Sequence, residues 1–300
     1  MYKKKNKFTI IELLAVIAII SILIGLLNVG LVRAKKNSRR ARYKVFVENL
    51  RADPNLILQM TLTPKTVRKD SSGQYKVLNT ALGLKIKGYK SEKLNGQLTN
   101  ADIIIDGGRW GKPAIFFYGN DNSYMQINDS DLLTMTDVTD PSNPRPKNFS
   151  AYIWFKALKR SSHYARFISK GMKSSKDEGW MMFLSNHSYW IQFTVAGTKY
   201  KYKTDTDKHY DILGKWHMMA FVVNKDKNIV NIYVDGKKTA SKELNFKPAK
   251  KPINPISQYT LVGKGERAGY SFRGYIDELE VFDRALTDRE IANAYEMGVE

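Results

Sequence analysis

The sequence predicts a mainly β protein: one N-terminal membrane α-helix, then an antiparallel jelly-roll sandwich. Three observations carry this. Residues 8–32 form an apolar run with a single acid, Glu12, and about 20 apolar residues span a bilayer as a helix. From residue 52 onward, roughly a dozen short β-rich runs alternate with turn signals, without interleaved helices. The chain has no cysteine, which excludes disulfides, thiolate catalysis and Cys-zinc sites. The outer domain therefore relies on its core, for which about 250 residues are ample.

The leader is residues 1–7, with Lys3, Lys4, Lys5 and Lys7. A basic flank before an apolar run suggests a secretory signal. The run is too long for that, and no small-x-small cleavage pattern follows; a plain signal anchor is the simple alternative. Beyond Val32, the residues Ala34, Ser38, Ala41 and Val45 recur at spacings of three and four. That periodicity carries the helix on to near Leu50, about 43 residues and roughly 65 Å. Gly25, Asn28 and Gly30 weaken it midway, each glycine by about 1 kcal/mol, and read as packing positions. A carboxylate at Glu12 is costly in lipid and marks a functional position.

The net charge is +20, and residues 1–51 hold twelve Lys/Arg against two acids. Half of the excess thus lies in the first sixth of the chain, which favours contact with a membrane surface or a polyanion. Basic residues flank both ends of the apolar run, and the charge bias alone would place the large domain in the cytoplasm.

The predicted strands are 103–106, 114–118, 124–128, 149–159, 165–169, 180–184, 190–195, 199–203, 216–224, 229–234, 259–263 and 274–283. Asp235-Gly236 is a two-residue hairpin turn. One helix is expected in this region, at the end: Thr287 caps it, Glu290 completes a capping box, and Ile291, Ala294 and Tyr295 form its apolar stripe. Trp154 and Trp216 lie inside apolar strands and are expected in the core. Trp190, Tyr189, Tyr200, Tyr202 and Tyr210 cluster with Lys199, Lys201 and Lys203 between them. Tyr200 and Tyr202 share one sheet face and Lys201 and Lys203 the other. Exposed, such rings stack on sugars; buried, they fill a sandwich core. His163, His187, His209 and His217 show no metal spacing, and no phosphate loop or dinucleotide fingerprint appears.

Two resemblances sharpen this. Phe8-Thr-Ile-Ile-Glu12-Leu-Leu-Ala-Val-Ile-Ala-Ile-Ile resembles the N-terminus of type IV pilins and of the pseudopilins of type II secretion. The resemblance implies cleavage before Phe8, methylation of the new terminus, and Glu12 pairing with the terminal ammonium of a neighbouring subunit to set the stagger between helices. The family has Gly before the cut, where this chain has Lys7; an uncut chain would be a static anchor. The second resemblance rests on Gly214-Lys-Trp-His-Met-Met-Ala-Phe-Val-Val, Ile232-Tyr-Val-Asp-Gly-Lys and Phe272-Arg-Gly-Tyr-Ile-Asp-Glu-Leu-Glu-Val-Phe-Asp-Arg-Ala-Leu-Thr. These are similar to laminin-G-like domains of the concanavalin A-like jelly-roll class, and the likeness extends over about residues 52–300. It implies binding of a glycan, a glycan-bearing protein or a matrix component, often with calcium. Calcium takes six to eight oxygens; Asp277 is the implied ligand, with Asn120, Asp121 and Asp70 as companions. Some jelly rolls of this class are glycosidases, but their Glu-x-Asp-x-x-Glu pattern is absent; only Glu278 and Glu280 alternate suitably.

The combined reading has a leader (1–7), a pilin-like membrane helix (8–51) and a laminin-G-like head (52–300). It is a non-enzymatic, membrane-anchored pilin-like or pseudopilin-like subunit of the inner membrane, with its head periplasmic or extracellular. Processing and assembly fall to Lys7, Phe8 and Glu12; ligand binding falls to Trp190, Tyr200, Tyr202 and Lys201. Its partners are other pilin-like subunits, the membrane and a glycan or surface ligand. The alternatives are a static surface lectin that never polymerises and, resting only on charge, a polyanion-binding or DNA-binding head.

Overall fold

The computed structural model describes residues 9–137, 140, 145–159, 164–171, 178–185, 188–195, 198–204, 212–246 and 259–299. Helix α1 (Ile10–Arg51) opens the chain. It runs unbroken through Gly25, Asn28 and Gly30, about 63 Å at 1.5 Å per residue. Thr9 caps it: the Thr9 hydroxyl accepts the Glu12 N–H, and the Glu12 carboxylate accepts the Thr9 N–H at 2.8 Å. The side chains of residues 10–32 are exposed, and α1 is long and apolar enough to cross a membrane.

Strands β1 (Leu56–Thr61), β2 (Val67–Lys69) and β3 (Tyr75–Val77) follow, then a one-turn helix α2 (Gly83–Ile86) that the sequence reading does not anticipate. Four residues are too few for a periodic signal. Next come β4 (Gly96–Thr99), β5 (Asp102–Ile104), β6 (Ala114–Tyr118), β7 (Tyr124–Ile127), β8 (Thr136–Asp137), β9 (Arg145–Pro146) and β10 (Phe149–Ala157). After these lie β11 (Ala165–Lys170), β12 (Gly179–Ser185), β13 (Ser188–Val195), β14 (Thr198–Lys203) and β15 (Trp216–Asn224). The chain ends with β16 (Ile229–Val234), β17 (Lys237–Glu243), β18 (Thr260–Val262), β19 (Arg273–Phe282) and α3 (Asp288–Gly298).

Two antiparallel sheets pack face to face. The first has the order β17-β16-β15-β10-β19-β6-β5, with β1 also on β19; the second runs β14-β13-β12-β11-β18-β7-β4-β3-β2. The expected sandwich is therefore present. Strands β1, β10, β11 and most of β12 and β15 are buried on both faces, which is why they read as apolar runs rather than as clean alternations. In β10, Phe149, Ala151, Ile153 and Phe155 face the second sheet, while Tyr152 and Trp154 face outward into a smaller apolar layer. That layer includes Leu56, Met218, Tyr233, Phe282, Leu286, Ile291 and Ala294. It lies beneath α3 and the foot of α1, whose Phe46 and Leu50 pack against it.

Trp154 is core, as expected, and stacks on Tyr295 of α3 at 5.5 Å. Trp216 is only half-buried, because the first position of β15 falls beyond the cover of the helices. The terminal helix forms with its expected Thr287–Glu290 capping box. The Asp235-Gly236 turn also forms: both residues have positive φ (50° and 74°), as a tight two-residue hairpin requires.

The foot of α1 is part of the head. Tyr43 is buried; the Gln59 amide donates to the Val47 carbonyl at 3.2 Å, and Arg51 Nε donates to the Thr80 carbonyl at 2.9 Å.

Candidate functional site

Helices cover the outer side of the first sheet, so the outer side of the second presents the head's other broad face. On β13 and β14 the alternation separates two sets. Tyr189, Ile191, Phe193, Val195 and Tyr200 point into the core, and Tyr202 packs against it. Trp190, Gln192, Thr194, Lys201 and Lys203 point outward. Tyr200 and Tyr202 do share a face, but it is the core face, which removes both from the expected sugar platform. The reason is register: Tyr200 lies opposite Phe193 and stacks on it at 4.9 Å, and the Tyr202 hydroxyl donates to the Glu243 carbonyl at 3.0 Å. Tyr210, Lys7 and Phe8 lie outside the described residues.

Trp190 and Lys201 do come together. Lys201 Nζ lies 4.4 Å from the Trp190 ring centre, 5.0 Å from Tyr164 and 5.9 Å from Phe183. Phe183, directly opposite Trp190 across the strands, stacks on it at 5.9 Å with planes 7° apart. The row continues through Tyr164 to Tyr270, with the Arg166 guanidinium 5.1 Å from the Tyr270 ring. Trp190 is thus flanked by Phe183 on one side and by its cross-strand neighbour Lys203 on the other, so it presents an edge rather than an open face. Tyr164, Phe183, Arg166 and Tyr270 escape the sequence reading; only the pairing register of β12 with β13 could have flagged Phe183.

Three polar atoms of this face, Trp190 Nε1, Arg166 Nε and the Thr194 hydroxyl, are recessed without a protein partner among the described residues. An unmet buried donor costs about 1–3 kcal/mol. Aromatic edges, cations and unfilled donors together suit a hydroxyl-rich ligand carrying negative charge.

The four expected calcium ligands are not brought together. Asp121 accepts from the Gly269 N–H and from the Ser271 hydroxyl at 2.7 Å, Asn120 accepts the Asn122 N–H, and Asp70 accepts from Ser72 and Gln74. Asn120 and Asp70 tie their own loops, and Asp121 ties its loop to residues 269–271. Asp277 is 0 % exposed; its Oδ2 accepts the Arg109 N–H and Nε–H, and its Oδ1 lies 3.1 Å from Lys112 Nζ. Protein cations stand where a metal would, so Asp277 does not fit calcium. No group of three His, Asp or Glu is placed to hold a metal ion among the described residues.

Residues 117–292 match the family model of the concanavalin A-like lectin/glucanases superfamily, Laminin_G_3. The chain belongs to this superfamily. No curated protein matches it by sequence. Among solved structures, it resembles the binding domain of Paraclostridial mosquitocidal protein 1 (15% identity, TM-score 0.56, 80% of this chain and 52% of that one). It also resembles the botulinum neurotoxin serotype G binding domain (16%, 0.52, 80% and 50%). A third likeness is domain 4 of AbnA, an extracellular arabinanase of Geobacillus stearothermophilus solved with arabinotriose (17%, 0.51, 80% and 98%). The chain spans about half the length of the toxin binding domains. At these identities the likenesses speak for the fold.

In this lectin-like domain Glu278 and Glu280 are structural. Both are buried, with Asp277 and Arg109, under the foot of α1, and Lys112 reaches them from the margin with its side chain 11% exposed. Glu278 accepts from Arg109 Nη2, and from Lys112 Nζ at 2.6 Å; Lys112 also donates to the Tyr43 hydroxyl at 2.7 Å. Arg109 lies over the Trp154 ring at 3.8 Å. Burial pushes both glutamates above the usual carboxylate range. Three carboxylates face two cations, so one retained proton brings the cluster to neutrality. The glutamate pair retains that proton: burial raises both carboxyls, and the Glu280 charge raises Glu278 further. Glu280 is pushed up to about 8, and its Oε2 has no partner among the described residues, whereas both cations hydrogen-bond other acids.

Proposed function

We propose that this chain is a membrane-anchored, pilin-like subunit that displays a lectin-like head for a saccharide. The observation that carries the reading is the division of α1: its apolar first half stands free of the head, while its last turns are locked into it. This suits display of a binding domain from a bilayer or from a helix-packed assembly. Glu12 stands in the first exposed turn of that helix, where a neighbouring subunit's terminal ammonium could reach it. The head's superfamily and the Trp190–Lys201 face support saccharide binding, with acidic sugars favoured by Lys201, Lys203 and Arg166. The membrane is the inner membrane, and the head faces the periplasm or the exterior.

N-terminal sequencing and intact mass from the native membrane test the assembly half. A mature chain beginning at methylated Phe8 supports it; a chain retaining Met1 leaves a static surface lectin, the reading that Lys7 favours. For the head, Trp190→Ala and Lys201→Ala should each weaken retention on an acidic oligosaccharide about tenfold. Retention abolished by salt alone and equal on DNA would instead mark a general polyanion binder.

A further inference from the structure

A second patch of rings lies on the outer face of the first sheet, just beyond the helices. Trp216, Lys156, Tyr275, Phe116 and Asp102 are directly opposite one another in register across β15, β10, β19, β6 and β5. Lys156 Nζ sits 5.2 Å from the Trp216 ring and 4.6 Å from Tyr275. Tyr275 and Tyr118 each lie 5.0 Å from Phe116. The row ends at the β5–β6 edge, where Tyr118 is 45 % exposed, Ile104 37 % and Ile105 71 %. Tyr118 donates its hydroxyl to Asp102, which quiets the one acid of the row.

This edge is where α1 leaves the head. Tyr43, the buried residue of α1, stacks on Trp110 at 6.1 Å and meets Lys112, in the connection between β5 and β6. From Tyr43 the helix runs eleven residues, about 17 Å, to the end of its apolar run at Val32. That interval carries Arg33, Lys35, Lys36, Arg39, Arg40 and Arg42 with no acid, all exposed. The polar layer of a bilayer is roughly 5–8 Å deep on each side, and transmembrane helices tilt by about 20° on average. On a tilted, basic stalk of this length, the corner from which the stalk emerges is the part of the head that would lie nearest the surface.

We propose that the Ile104–Ile105 corner and the adjoining Tyr118–Phe116–Tyr275–Trp216 row form a second membrane contact, seated in the headgroup layer of the bilayer that α1 enters. Trp and Tyr concentrate at that depth, and Lys156 can keep its ammonium in water while its stem lies along the rings. Exposed isoleucines favour lipid over sugar, since a saccharide platform uses rings and hydrogen bonds rather than aliphatic tips. The basic stretch 33–42 draws the corner toward anionic headgroups. This inference rests on the membrane-anchor reading.

The cysteine-free chain allows a clean test. Ile105→Cys, Tyr118→Cys and Lys225→Cys are each labelled with an environment-sensitive fluorophore. The full chain is reconstituted into liposomes of phosphatidylethanolamine and phosphatidylglycerol at 3:1. Lys225 follows the far end of β15, about 26 Å along the strand from Trp216. Brominated lipid should quench the labels at 105 and 118 at least twofold and leave 225 unchanged. Flotation of the same samples reports on the anchor. Protein that floats while 105 and 118 match 225 overturns the inference alone; protein that fails to float overturns the anchor reading. Quenching at 105 that follows the protein-to-lipid ratio would mean a second copy covers the corner. A signal moved by oligogalacturonate in detergent would mean a saccharide does. Either result also overturns the proposal.

Discussion

Replacing Glu280 by Gln tests the charge balance beneath α1. In the fold Glu280 holds a proton up to about pH 8, whereas unfolded it would titrate near 4.5. Between those values Glu280 carries a proton in the folded chain that it has lost in the unfolded chain, so its contribution makes stability fall as pH rises. The limiting slope for one proton is about 1.4 kcal/mol per pH unit. From pH 5.5 to 7.5 the wild-type chain should therefore lose up to about 2.7 kcal/mol. Below this window the difference vanishes, because both states are protonated. Above pH 8 the depressed Lys112, down to about 8, brings the opposite slope. Gln keeps the shape and the neutral state of Glu280 and removes its share of the titration, leaving that of Glu278. Urea unfolding of the full chain in neutral detergent, followed by tryptophan fluorescence, should give a flatter pH profile for Glu280→Gln and a more stable variant at pH 7.5. An unchanged slope, or a variant weaker than wild type at pH 7.5, would refute the placement of the proton.

Three further changes probe other parts of the fold. Tyr43→Ala removes the ring on Trp110 and the hydrogen bond from Lys112, and should cost about 3–5 kcal/mol; amide exchange across residues 43–51 should quicken in step. Thr287→Ala removes the cap of α3 and should cost about 1 kcal/mol, read from the urea midpoint at constant slope. Asp235→Ala loses the bonds to the Met218 N–H and to His217 and places Ala at φ 50°. It should cost about 2 kcal/mol, with Asp235→Asn recovering most of it.

Much of the architecture was legible because the signals were local. The 3.6-residue recurrence carried α1 to its end within one residue, Thr287 and Glu290 announced α3, and Asp235-Gly236 announced its hairpin. The site was harder, because facing depends on partners distant in sequence. Alternation put Tyr200 and Tyr202 on one side, but only pairing with β13 shows that side to be the core. Trp216 looked internal from its apolar strand, yet it stands at the strand's mouth, past the helices. Asp277 looked like a metal ligand by resemblance; Arg109, 168 positions earlier in the chain, claims it instead. Such contacts leave no periodic trace in the sequence.

The pairing of β1 with β19 has a mechanical consequence. The chain passes from α1 almost directly into β1, whose residues Leu56–Thr61 lie antiparallel along Phe282–Glu278 in the middle of the first sheet. A pull applied between α1 and the head enters through α1 and draws β1 lengthwise against β19. The ladder bonds then resist together in shear instead of opening one at a time like a zip. The Gln59–Val47 and Arg51–Thr80 bonds brace the same junction. A head loaded through its first helix in this way is built to resist a pull along that helix.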